Sequence, residues 1–339
     1  NGDVALLKGV MKEVLGMEDA APGTVLDRSF IEQSCAGYEA WRAALDETPW
    51  TSLEAQSGIP RAQMREVAAL YVAAPSTIAC WAMGLTQHAN AVANIQEVVN
   101  LLLLRGNIGR AGAGVCPVRG HSNVQGDRTM GISHEMPEAF YERLEASSGV
   151  RAPRDRGMDV VDAIHGMEQG KVRCFIGMGG NFVSATPDSA RTAAAMERCA
   201  LTVHVSTKLN RSHLVTGSEA LILPCLGRTE LDAVNDHAQF VTVENSMGIV
   251  HASRGRLPPA SLHLRSEPAI VAGMARATFG GEETLDWEGL TADYDRIRAL
   301  IEATIPGFER FNERVRAPHG FALPNGPRSR EFRTSTGRA

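Results

Sequence analysis

The stretch Val172-Arg173-Cys174-Phe175-Ile176-Gly177-Met178-Gly179-Gly180-Asn181 decides the fold class of this chain. Val172–Met178 reads as a strand, and the glycines at its end mark a tight turn. Thr186-Pro187-Asp188 then opens a helix to about Cys199, with Thr186 the expected N-cap and Pro187 at the first helical position. Leu201–Ser206, Glu219–Pro224 and Phe240–Glu244 read as further strands. Strand starts about 20 to 30 residues apart fit crossover units in a mostly parallel sheet.

The same pattern stands upstream. Thr77–Met83 is a short β-prone run ending at Gly84, and a helix from about Val92 to Leu104 follows, stopped by Gly106. Residues 1–75 read as helices, among them Glu39–Leu45 and Arg61–Ala73, the latter led in by Pro60. Gly106 to Gly131 holds seven glycines in 26 residues and is expected to be a loop. After Arg256, Leu257-Pro258-Pro259 is a linker, Pro268–Phe279 and Asp286–Ile305 are helices, and an extended tail from Pro318 should lie against something else.

At 339 residues and 36.4 kDa the chain suits two α/β domains. Hydrophobic residues at 44% and charged residues at 22% exclude wholesale disorder. A net charge of −5 and a pI near 6.1 exclude a strongly basic nucleic-acid binder. The apolar runs Val98–Leu104 and Ala220–Leu223 fall far short of the roughly 20 residues that cross a bilayer, so no membrane insertion is expected. The start at Asn1-Gly2-Asp3, running at once into a helical pattern, reads as an internal piece of a longer protein.

The 34 basic residues include only four lysines, Lys8, Lys12, Lys171 and Lys208. Genome base composition accounts for that, and so does a need for anion-binding guanidinium groups. Cys35, Cys80, Cys116, Cys174, Cys199 and Cys225 match no zinc or iron–sulfur spacing. Cys80, Cys174 and Cys225 lie in apolar runs and are expected to be buried free thiols, which suits a reducing, cytoplasmic setting.

Four loops stand where strands end, the side on which open α/β sheets bind ligands. They are Met83–His88, Cys116–Arg128, Gly177–Asn181 with Ser184 and Thr186, and Ser206–His213. Each carries hydroxyl or amide side chains, the first three mix them with glycine, and the second and fourth add cations, as a phosphate-bearing ligand requires. Arg119, His121, Asn123, Gln125, Asp127 and Arg128 crowd the second loop, a density that a purely structural turn seldom needs. His88 and His213 read as surface or hydrogen-bonded histidines, and Arg128 and Arg211 as ion-pair partners, as readily as ligands. No nucleophile elbow, Walker A loop, zinc motif or GxGxxG fingerprint occurs.

Trp81-Ala82-Met83-Gly84, then Asn100–Gly109, then Gly114-Val115-Cys116-Pro117-Val118-Arg119-Gly120-His121-Ser122-Asn123-Val124-Gln125-Gly126, resembles the molybdopterin oxidoreductases. The similarity is to the formate dehydrogenase alpha-subunit-like branch of the dimethyl sulfoxide reductase superfamily. Gly177–Asn181 and Ser206–Ser212 fit the same family.

The resemblance implies two Rossmann-like three-layer α/β/α domains with mostly parallel sheets, within a four-domain enzyme. Residues 1–119 would complete one dinucleotide-binding domain, 120–256 form the second, and 257–339 lead toward a missing C-terminal domain. It implies molybdenum (or tungsten) on two molybdopterin guanine dinucleotides, with a 4Fe-4S cluster held by a missing N-terminal part. Sheet edges that borrow strands from that part would be exposed here. Arg119 matches the active-site arginine and His121 is the acid–base candidate. The expected cofactor-binding residues are Met83, Gly84, Gln87, Gly120, Asn123, Gly126, Gly177, Gly179, Asn181, Thr186, Ser206, Thr207, Lys208, Asn210, Arg211 and Ser212. The reaction would be a two-electron transfer on a small, anionic substrate, with the electron partner unspecified. Some formate dehydrogenases carry glutamine where His121 stands, so formate itself is open. The alternative is a non-catalytic electron-transfer scaffold like the large subunit of NADH–quinone oxidoreductase.

Overall fold

The computed structural model describes residues 2–281 and 284–339. They form two compact units: unit 1 runs to Val124 and adds Asn245–Ile249 and Ala322–Ala339, while unit 2 comprises Gln125–Glu244 and Val250–Phe321.

Unit 1 opens with the helix Asp3–Ala20, packed on Trp50–Ser57 and Arg61–Ala73. Val10, Met11, Val14, Leu15, Leu53, Met64 and Ala68 make that core. Gly9 lets Met64 pack close to the helix: a Cβ there would stand 2.1 Å from Met64 Sδ, and the Met64 side chain would have to move. Glu18 is buried beneath the helix end. Burial alone would raise its pKa, but the N–H groups of Gly23, Leu26 and Val25 and the Arg28 guanidinium bring it down to about 2.

After this bundle come β1 (Ile78–Trp81), the helix Ala91–Leu103 and β2 (Gly114–Pro117), a crossover unit. β1 and β2 pair in parallel from Ile78 opposite Gly114 to Trp81 opposite Pro117. The glycine-rich stretch expected to be all loop thus contains a strand and the short helix Val124–Thr129.

In unit 2, β3 (Cys174–Met178), β4 (Leu201–Ser206) and β5 (Glu219–Pro224) form a parallel sheet in that order. β4 is central and its Val203 and Val205 are buried. The helix Ser189–Met196 joins β3 to β4, with Ala195, Met196 and Cys199 in the core beside Met167 and Val183.

Four expectations are corrected. Asp188, not Thr186, caps Ser189–Met196, accepting from Arg191 N–H at 3.0 Å. Thr186 instead shares its hydroxyl with Thr192 at 2.7 Å. The Phe240–Glu244 run forms the strand Val241–Glu244, paired antiparallel with Ile249–Ser253 rather than joining the parallel sheet. Asp286–Ile305 is two helices, Trp287–Ala292 and Tyr294–Thr304, because extended Asp293 breaks the first and caps the second through Asp295 N–H. Of the cysteines all six are free, but Cys80 and Cys174 are exposed, facing away from the packed side of their short sheets, and only Cys199 and Cys225 are buried.

The tail from Pro318 lies on the chain itself, where Leu323 N–H donates to Gly248 O at 2.9 Å and Ala339 N–H to Ser34 O at 2.7 Å. Among the described residues no helix is long and apolar enough to cross a membrane.

Candidate functional site

In unit 1, parallel pairing sets the ends of β1 and β2 side by side, bringing the first two loops together. Val118 N–H donates to Trp81 O at 2.7 Å and extends the ladder past β2. Beyond it, a Cβ on Gly120 would touch Met83 Cε at 3.7 Å. Gly84 lies in the turn Met83–Thr86, its carbonyl 2.6 Å from His88 Nε2, and Gln87 Nε2 lies 3.6 Å from Met83 Sδ. Asn123 takes a left-handed backbone at φ 67°. Arg119 and His121 are both exposed, and neither has a hydrogen bond or ion pair among the described residues.

In unit 2 the ends of β3 and β4 are joined the same way, and far more tightly. Gly179 N–H donates to Val205 O at 2.8 Å, Asn210 Nδ2 donates to Gly180 O at 2.8 Å, and Val183 N–H donates to Ser212 Oγ at 3.2 Å. Gly179 and Gly180 both stand at φ 69° with open space where a Cβ would be. Their amides can therefore be approached closely, and any other residue would be strained there. Gly177 faces inward, where a Cβ would meet Phe175 Cε1 at 2.9 Å. Asn181 is exposed, and its carbonyl accepts from Ser184 and Ala185 N–H. Gly126 is buried in the helix that opens this unit.

Within Ser206–His213, Ser206 Oγ donates to Lys208 O at 2.8 Å, and Asn210 Oδ1 accepts from Ser212 N–H at 2.9 Å. Ser212 is buried, whereas Thr207, Lys208 and Arg211 are exposed and make no side-chain hydrogen bond or ion pair among the described residues. Asn210, Ser212 and Thr186 thus spend their side chains on the protein, leaving two cations and main-chain groups for an anion.

The sequence passes over His204 and offers His213 as a surface or hydrogen-bonded histidine, of which it is the second. Both are buried, their rings 4.8 Å apart, and His213 Nδ1 accepts from Asn210 N–H at 2.9 Å. The signal available was a histidine inside the otherwise unbroken apolar strand Leu201–Ser206. Among the described residues no group of three or more His, Cys, Asp or Glu could hold a metal ion.

No family model matches the chain. It is 55% identical over 339 residues to a protein of Mycobacterium bovis described as an uncharacterized oxidoreductase, covering 100% of this chain and 44% of the relative. Formate dehydrogenase H of Escherichia coli is 27% identical over 212 residues, 60% of this chain and 29% of that protein. Acetylene hydratase from Pelobacter acetylenicus superposes with a TM-score of 0.58 at 16% identity, over 87% of this chain and 42% of that one. That likeness is one of fold, and it accords with the α/β architecture. The chain spans under half the length of the full-coverage relative.

Proposed function

We propose, from the premise that this chain belongs to the formate dehydrogenase alpha-subunit-like branch of the molybdopterin oxidoreductases, that it is the cofactor-binding centre of such an enzyme, holding molybdenum or tungsten on two molybdopterin guanine dinucleotides. The observation that carries the reading is the doubled arrangement: β1–β2 and β3–β4 each deliver two polar loops, at least one of them glycine-bearing, at adjacent carboxyl ends of parallel strands. The residues fit the group. Gly179 and Gly180 form a cradle that a Cβ would fill, and exposed Lys208 and Arg211 supply the cations a pyrophosphate needs. Thr207 and the main chain of Asn210 stand beside them.

When bound, the metallopterin supplies two-electron redox chemistry. This chain's own residues bind and orient. Arg119, with no protein partner among the described residues, offers its guanidinium fork to an anionic substrate and stabilises developing negative charge. His121, two residues on, exchanges the proton that accompanies electron transfer. Met83 stands beside Gly120, the residue between them, where a Cβ would touch its Cε at 3.7 Å.

The test is metal and pterin analysis of the full-length protein purified without oxygen. About one metal and two pterins per chain would support the reading. Neither, in a host that makes the cofactor, would overturn it in favour of an electron-transfer scaffold.

A further inference from the structure

Two thiols stand opposite each other just before the loops of unit 1, and nothing in the proposed chemistry uses them. Cys80 of β1 and Cys116 of β2 are partners in the parallel register, one step before Trp81 and Pro117. Ala79 and Val115, the pair preceding them, pack on Phe30, Leu102 and Ile108. Alternation along a strand turns Cys80 and Cys116 together to the other face, where Cys80 is exposed and Cys116 half-buried. All six cysteines are free thiols, and among the described residues only these two face each other across a strand ladder.

The spacing suits a bond between them. Neighbouring strands lie about 4.7–4.9 Å apart, within the roughly 4.4–6.8 Å between Cα atoms that a disulfide takes. In-register Cβ atoms point the same way and keep about that spacing, wider than the roughly 3.8 Å of a relaxed bridge. A bridge there is of the strained, readily reduced kind. The two sulfurs already sense each other. Burial first, and then a charge on Cys80 and hydrogen bonding to its thiol, push the Cys116 thiol up.

We propose that Cys80 and Cys116 form a reversible disulfide, a modification site at the root of the loops Met83–His88 and Cys116–Arg128, with a small-molecule disulfide as the oxidant. The exposed Cys80 reacts first. Its thiolate attacks one sulfur of the oxidant RSSR, the S–S bond breaks, and RS⁻ leaves, giving a mixed disulfide on Cys80. Cys116, after losing its proton to water, attacks Cys80 Sγ and displaces the second RS⁻. The two protons released by the protein thiols end on the two leaving groups. Two protein thiols are thus oxidised by two electrons to one disulfide, while RSSR is reduced to two RSH.

Met83 and Arg119 each stand three residues beyond a bridged cysteine. The bond would therefore add a covalent tie at the point where Val118 N–H donates to Trp81 O. Its bearing on turnover rests on the function proposed above; the bond itself does not.

The experiment exposes the reduced, folded full-length protein to glutathione disulfide, then alkylates the remaining thiols before tryptic digestion. Cleavage places Cys80 in Glu66–Arg105 and Cys116 in Ala111–Arg119, each the one cysteine of its peptide. Both free peptides should disappear in step into one cross-linked species, and excess dithiothreitol should return them. Cys116→Ser should stop at a stable glutathione adduct on Cys80. Cys80→Ser should leave Cys116 unmodified at the time when the wild type is fully bridged. Free thiols at both positions, separate glutathione adducts in the wild type, or a Cys116 that reacts in Cys80→Ser as fast as in the wild type would overturn the inference. Should a variant fail to fold, the wild-type peptide map decides. No readout needs metal or pterin, so the bridge can form in protein that lacks cofactor, and its failure to form in loaded protein would leave the proposed function standing.

Discussion

The two units solve one problem with different materials. Each ends a parallel strand pair in two polar loops, yet the β3–β4 loops are cross-linked by Asn210 and Ser212. The β1–β2 loops display Arg119 and His121 without a side-chain partner among the described residues. A loop that must hold a large ligand in one place gains from a backbone fixed beforehand, since ordering costs about 1–2 kcal/mol per residue. A loop that meets a small substrate gains from side chains not already bonded. The contrast predicts that substitutions in one loop should cost activity and in the other should cost order.

The largest expected effect tests the first half. Arg119→Ala in the full-length protein should lower kcat by about 10²–10³-fold, as for loss of one transition-state donor, with metal, pterin and unfolding midpoint unchanged. A fall in cofactor content or in stability would make Arg119 a structural residue and erase the contrast. The second half is tested by Ser212→Ala, which leaves the buried Val183 N–H without its acceptor. That should destabilise unit 2 by about 1–3 kcal/mol in urea unfolding, with cofactor retention falling alongside. Unchanged stability would mean the β3–β4 cross-links do not order the loop.

The sequence made the regular parts legible because local rules govern them. Arg61–Ala73, Leu201–Ser206 and Glu219–Pro224 stand in the structure with the bounds their patterns predicted. β2 was hidden because Gly114-Val115-Cys116-Pro117 is a strand only by virtue of the parallel partner it finds at Ile78–Trp81. The break at Asp293 was hidden because apolar spacing continues across it, so that one amphipathic pattern covers two helices. The site was legible as a set of loops, since strand ends and glycines announce them. It was not legible which side chains would be consumed internally: Ser212, Asn210 and Thr186 look like ligand groups until their longer-range partners, Val183 N–H, Gly180 O and the Thr192 hydroxyl, are known.

The smallest predicted effect separates two residues that local rules treat alike. Thr186 and Asp188 are both good caps two positions apart, but only Asp188 accepts from an amide of the helix Ser189–Met196. Asp188→Ala should cost about 1 kcal/mol, the usual worth of a cap, while Asp188→Asn, which keeps the acceptor, should cost little. Thr186→Val removes a hydroxyl bonded to Thr192 and to Val183 O at 3.2 Å, and should cost about the same as Asp188→Ala. The two losses differ in kind, because the cap acts on the helix and the Thr186 hydroxyl on the turn after β3. Hydrogen exchange should therefore show Asp188→Ala loosening the first turn of Ser189–Met196, and Thr186→Val loosening Phe182–Ala185, the segment that carries the Ser212 contact. If both variants loosened the same amides, Thr186 would belong to the cap, and the β3 loop would be held by Asn210, Ser212 and the Gly179 N–H to Val205 O bond without it.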